Sequence, residues 1–316
     1  MQGDGMNPEY VEDEEMDEQT ELFYKSLSNA VAYVSNEALV LTQYEVARPG
    51  VFPKLWDGIG DFDKRMNDIA EHLGGPPDFY IMSKTREVEP PPADSYPDAT
   101  LREALEMFLR ARKSVVRAHM FMTGSTVLAH APEMMDLSTE TDEAELFVSS
   151  AQSAFWEHAE TAYIRLYSFW DRIGQILEFA FFNIRKFDHN TFSAVIDRIN
   201  ANIVPMSKRL ESSASWKRVR TFQKSEKEDG LKWLLARRNL IVHSLHLHPI
   251  KTKDESVFKS QFNHLENSHR EKLRPRDAGG EVDLLLGQLN QAASLFGSVL
   301  SIIQTTPSRK VDPFIS

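Results

Sequence analysis

The stretch "WLLARRNLIVHSLHLHP", residues 233–249, places Arg237, Arg238, Asn239, His243, His246 and His248 inside an otherwise aliphatic run. These residue types suit proton transfer and anion binding. An imidazole titrates near neutral pH and serves as general acid or base, whereas a guanidinium keeps its charge and offers forked donors that match a phosphate. The chain has no cysteine, which excludes thiolate nucleophiles, disulfides and sulfur-ligated metal centres. Three histidines also invite a metal reading. However, Pro249 must end the helix, no nearby carboxylate completes a ligand set, and the spacing matches no common metal site, so neither metal nor other cofactor is expected.

The periodicity predicts a helix over 231–247, and the positions of its side chains follow from about 100° per residue. With Leu234 at zero, Leu231, Leu234, Leu235, Ile241, Val242 and Leu245 span an arc from about −20° to 100°. Arg238 falls near 40°, within that arc, and Arg237 points away near 300°. Asn239, His246 and His243 line one edge at about 140°, 120° and 180°. A charged group in an apolar face requires a partner or an open cleft. The expected partner is Asp171 or Glu178, seven residues apart and so on one face of a preceding helix. A purely structural ion pair at Arg238 and a packed or capping role for His243 remain the alternatives to a functional one.

The elements that must carry these residues are helical. Apolar spacing predicts helices over about 99–130, 141–186, 190–210, 213–247 with a break near Gly230, and 279–304, with almost no strand pattern. The 141–186 segment carries aromatic and aliphatic residues on most sides, as a central bundle helix does. Its most apolar part, "IGQILEFAFFNI", is about half the ~20 residues needed to span a bilayer and reads as core. The fold class expected is all-α: an antiparallel helical bundle, 98–306, with an irregular N-terminal elaboration, 23–97, that includes a helix from about 23 to 46 and a proline-rich connector. Residues 1–22 read as an acidic disordered tail and 307–316 as a C-terminal tail.

Charge is distributed unevenly. Nine acids and no base precede Lys25, so the net charge of −11 shrinks to 38 acids against 36 bases over the rest. Residues 205–240 hold ten basic groups against four acids. Lys217, Arg218, Arg220, Lys224, Lys232 and Arg237 within it are the expected contacts for a phosphate-bearing ligand such as RNA. The acidic tail is expected to restrain that basic groove. The first 24 residues lack the basic start and apolar run of a secretory leader, and with no membrane span expected, a cytoplasmic location follows.

Arg238-Asn239, three further residues and His243, "RNLIVH", resemble the signature of the HEPN superfamily, an arginine, four to six residues and a histidine on a helix of an all-α bundle. A polar residue directly after the arginine is the favoured form. The resemblance extends over residues 140–305. It implies a HEPN-like bundle and a metal-independent endoribonuclease, of the kind found as toxins or anti-phage defence effectors, with Arg238 and His243 catalytic, Asn239 assisting, and Asp171, Glu178 and His246 supporting. It further implies a homodimer whose two motifs line one cleft, and an antitoxin or defence-system partner. RNA supplies its own 2′-hydroxyl nucleophile, so the products expected are a 2′,3′-cyclic phosphate and a 5′-hydroxyl. Arg238 and His243 lie about 140° apart on one helix, which favours a cleft shared between two antiparallel motif helices. The tyrosine found two residues after the histidine in one toxin branch is Leu245 here. Some members of the superfamily lack nuclease activity, so a non-catalytic module that binds RNA, a nucleotide or a protein is the alternative.

Overall fold

The computed structural model describes residues 18–55, 59–73, 95–130, 141–182, 191–243 and 277–306, all as helix or connecting turn. Among the described residues nine α-helices follow in chain order: α1 Glu18–Val46, α2 Ile59–Leu73, α3 Ser95–His130, α4 Thr141–Phe181, α5 Phe192–Asn202, α6 Lys208–Ser212, α7 Ala214–Lys224, α8 Leu231–His243 and α9 Ala278–Ile303. No strand occurs among the described residues. Two compact units divide at Arg48 and Pro49, so α1 belongs to the first and the other eight helices to the second.

The bundle is organised on α4. At 41 residues it is about 60 Å long, and it buries Tyr163, Leu166, Phe169, Trp170, Ile173 and Leu177. Its longest partner is α3. Arg172 binds Glu103 at 2.9 Å, the Phe169 ring meets Phe108 at 5.8 Å, Arg165 binds Ser114 at 2.9 Å, and His158 stacks on Phe121 at 5.6 Å. Residue numbers therefore fall on one helix as they rise on the other, which defines an antiparallel pair. Helices α5, α8 and α9 also pack against α4, and α9 reaches α3 and α7. The expected central helix is thus observed, and "IGQILEFAFFNI" contributes the buried Ile173, Ile176, Leu177, Phe179 and Ala180.

Several boundaries differ from expectation. The 190–210 pattern is divided between α5, a 3₁₀ turn at Val204–Met206 and α6, because Pro205 cannot donate to a continuing ladder. Serine and threonine caps start the short pieces: Thr191 accepts from the Ala194 N–H, and Ser213 from that of Trp216 at 3.3 Å. Helix α1 begins at Glu18, inside the expected disordered tail. Residues 1–17 lie outside the described set, as do 307–316. The compact units divide at 48/49, and α2 falls in the second unit with the bundle helices. Met66, Ile69 and Leu73 are buried, and His72 Nε2 lies 3.1 Å from Thr306 Oγ1.

The expected break near Gly230 separates α7 from α8. The Gly230 N–H donates to Lys227 O at 2.8 Å and the Lys232 N–H to Ser225 O at 3.2 Å, folding the chain so closely that a Cβ at 230 would collide with the Ser225 backbone oxygen and side chain. Gln288 Nε2 on α9 holds this corner by donating to Glu228 O at 2.6 Å and Gly230 O at 3.1 Å. Because the colliding atom is backbone, Gly230→Ala is expected to destabilise the bundle by about 1–3 kcal/mol in urea titration.

Candidate functional site

Helix α8 is set by its buried residues, Leu231, Trp233, Leu234, Arg237 and Leu240. On the helical wheel these run from about 240° through 300° to 60°, with Arg237 at the centre. Two consecutive arginines must point about 100° apart, so only one can occupy the core. It is Arg237, 1% exposed, and not Arg238. The expected arc was displaced because it omitted Trp233 and Leu240, whose apolar bulk turns the helix. Val242, within that expected arc, is 45% exposed.

Arg237 is paired inside the bundle with Glu281 of α9, itself without exposed surface. The second Glu281 oxygen accepts from the Tyr163 hydroxyl at 2.8 Å, and the guanidinium lies 5.4 Å from the Trp233 ring centroid and 5.7 Å from that of Tyr163. Burial, and then the Glu281 charge, hold the Tyr163 hydroxyl well above its ordinary pKa. The group links α4, α8 and α9 and contains no atom open to a ligand. Arg237 is therefore removed from the expected RNA contacts. A signal for Glu281 did exist: it begins a stripe with Leu285, Gln288, Leu289 and Ala292, the spacing of a buried helix face.

Arg238 instead stands half-buried at the edge of the bundle, 5.7 Å from the Tyr167 ring centroid, and donates to Asn239 Oδ1 at 3.0 Å. Asp171, one turn along α4 from Tyr167, is near enough for its charge to interact with Arg238. Burial raises the Asp171 carboxyl above its ordinary range, opposed by the Phe192 N–H at 3.5 Å, by Arg238 and by Arg172. Tyr167 is pushed up to about 12, first by burial and then by Asp171, with Arg238 acting against both. Thus one of the two expected carboxylates does accompany Arg238. Glu178 does not: it is bound to Arg198 of α5 at 3.0 Å, so its expected support of the site is withdrawn. Tyr167 was not singled out in the sequence, where it is one aromatic among many on α4.

The raised Asp171 pKa has a stability consequence. Between the ordinary value and the raised one, the folded protein holds the proton more firmly than the unfolded chain does, so stability declines as pH rises through that window. Asp171→Asn is expected to remove this decline, which denaturant midpoints measured across the acidic range will show.

His243 is the last residue of α8, and its side chain lies outside the described set together with His246 and His248. Among the expected RNA contacts, Lys217, Arg218 and Lys224 are exposed on α7. Lys232 is exposed but bonded to Glu226 at 3.1 Å. Arg220 is engaged by Asp197 and donates to Gln223 Oε1 at 2.6 Å, which ties α7 to α5. A further basic group, not evident from linear charge, gathers where α3 meets α4. Arg165 is lowered in pKa by burial and by Arg110 and Arg117. Among the described residues no group of three or more His, Asp or Glu is placed to hold a metal ion. No described helix is long and apolar enough to cross a membrane.

No family model matches the chain, and no curated protein or solved structure does either.

Proposed function

We propose that the chain is a metal-independent, HEPN-type endoribonuclease, a toxin or anti-phage defence effector acting on cytoplasmic RNA, in which Arg238 binds the scissile phosphate and His243 moves the proton. The observation that carries this reading is the division of labour between the two arginines. Arg237 is committed to Glu281 in the core, whereas Arg238 stays at the surface against the Tyr167 ring with Asn239 as its acceptor. A guanidinium held in this way loses little freedom on meeting a phosphate and stabilises the charge that grows as the 2′-hydroxyl attacks. The exposed lysines of α7 supply the sequence-independent attraction that brings RNA in.

Arg238 and the His243 position diverge around α8, so the reading includes a homodimer in which each arginine meets the histidine of the other subunit. Mixed dimers of Arg238→Ala and His243→Ala test this: one of their two clefts retains both groups, and since about half of the dimers in an equal mixture are mixed, activity is expected to return to about a quarter of wild type. A full-activity monomer by light scattering contradicts it. Lys217→Ala with Lys224→Ala is expected to weaken RNA binding and reduce the salt slope by about one unit for each phosphate no longer neutralised.

A second reading, a non-catalytic module that binds RNA, a nucleotide or a protein, draws on Asp171. Its charge already compensates part of that of Arg238, as in an interface or structural pair. Binding without cleavage distinguishes it. An antitoxin or other partner belongs with the first reading.

A further inference from the structure

Where α3 and α4 run side by side, both helices pass through a stretch that has bases and no acids. Residues 107–130 of α3 carry Arg110, Arg112, Lys113 and Arg117, and residues 161–170 of α4 carry Arg165. Neither segment holds an Asp or Glu, in a chain whose 47 acids outnumber its 36 bases. Arg110, Ser114 and Arg117 follow at intervals of four and three, so they share one face of α3 over about 10 Å. Arg165 joins them from α4: its Nη1 donates to Ser114 Oγ at 2.9 Å and to Arg110 O at 3.1 Å. Lys113 is exposed beside them. Arg112 turns elsewhere, since its Nε donates to Pro53 O at 3.0 Å.

Both Arg165 bonds go to neutral oxygens, which satisfy its donors without cancelling its charge. Burial, then Arg110 and then Arg117, hold its guanidinium below the ordinary arginine pKa, so the three cations are near enough to repel one another. Glu106 lies 3.9 Å from Arg110, with both side chains more than half exposed, a pair that holds little against a competing anion. An arriving anion therefore relieves a repulsion built into the fold.

The layout of the cations indicates which anion. Positive groups spread over about 10 Å of one helix face suit a chain of phosphates better than a single compact ion, and guanidinium forks match phosphate oxygens. A lipid surface is the poorer fit because a helix lying on lipid needs a broad apolar face beside its bases. Within 107–118 and 161–170, Leu109 is the one large apolar residue that stands exposed.

We infer that Arg110, Arg117 and Arg165, with Lys113 beside them, form a second contact for the phosphodiester backbone of RNA, on the opposite side of α4 from Arg238. The side follows from rotation: Arg165, which meets α3, and Tyr167, which meets Arg238, point about 200° apart around α4. The inference rests on RNA being the ligand and is independent of which residues cleave it. A strand long enough to reach both surfaces is held more firmly than by either alone.

Fluorescence anisotropy of labelled single-stranded RNA, measured against salt, tests it in the full-length chain carrying His243→Ala to keep the strand intact. Arg110→Gln with Arg165→Gln is expected to lower affinity about tenfold at low salt. The slope of log affinity against log salt is expected to fall by about 1.4, some 0.7 for each phosphate no longer neutralised. Arg110→Gln alone, at an exposed position, is expected to give about half of that slope change even if the double variant does not fold. Lys64→Gln with Arg209→Gln removes the same charge from exposed positions on α2 and α6 and is expected to change affinity by less than about twofold. Unchanged affinity and slope in the α3/α4 variants, equal losses in the Lys64 and Arg209 pair, or preference for anionic phospholipid vesicles over RNA overturns this inference alone. A parent protein that binds no RNA at low salt overturns it together with the RNA reading.

Discussion

Glu281→Ala is expected to lower the unfolding free energy by about 3–5 kcal/mol, the cost of leaving a buried guanidinium without its carboxylate. The carboxylate has no exposed surface and Arg237 is 1% exposed, so water cannot replace the missing partner. Domains of this kind are stable by about 5–15 kcal/mol, which makes this one ion pair decisive for folding yield. Tyr163→Phe removes only the hydroxyl that donates to Glu281 and is expected to cost a smaller 1.5–3 kcal/mol or so. It remains measurable if the alanine variant does not fold. The paired change Arg237→Met with Glu281→Leu removes both charges and is expected to recover most of the loss. Arg238→Ala, one residue away at the surface, is expected to change stability by less than about 1 kcal/mol. Urea unfolding of the four proteins checks the order; equal losses in Glu281→Ala and Arg238→Ala contradict the assignment of Arg237 as the structural arginine.

His243→Ala and Arg238→Ala are each expected to reduce RNA cleavage by about 10²–10⁴-fold with little loss of RNA affinity for the former. The two roles separate by chemistry. Loss of a proton carrier lowers turnover and removes the near-neutral limb of the pH profile, whereas loss of the phosphate-binding cation also weakens binding. Arg238→Lys keeps the charge but not the forked geometry, and is expected to rescue binding more than turnover. Tyr167→Leu, which removes the ring beside Arg238 while preserving apolar volume, is expected to give a partial loss of several-fold, since the guanidinium is then less well positioned.

The helical architecture was legible in the sequence because long periodic segments and strong punctuation agree. The 36-residue α3 and 41-residue α4 announce themselves by pattern and Gly230 marks a real interruption, whereas Pro205 divides a stretch whose apolar spacing read as one helix. What failed was rotation. The arc chosen for α8 followed aliphatic residues alone, whereas the buried set, Leu231, Trp233, Leu234, Arg237 and Leu240, is centred about 80° away, enough to exchange the two arginines. The error was inherent in a helix that is apolar on several sides, since periodicity then fixes the element and leaves its facing to partners that arrive from far along the chain. Glu281 is 44 residues away on α9 and Asp171 lies on α4, and only tertiary packing decides which arginine each serves. Glu178 illustrates the same limit. An acid in an apolar run signals a buried partner, but Arg198 of α5 claims it before Arg238 does.

On the proposed function, Arg238 and His243 cleave RNA without a metal ion. The most direct measurement incubates purified protein with end-labelled single-stranded RNA in EDTA and examines the product ends. Cleavage is expected to persist in EDTA, to leave a 2′,3′-cyclic phosphate and a 5′-hydroxyl, and to disappear in both Arg238→Ala and His243→Ala. Binding without cleavage, cleavage that requires a divalent ion, or full activity in either variant contradicts it.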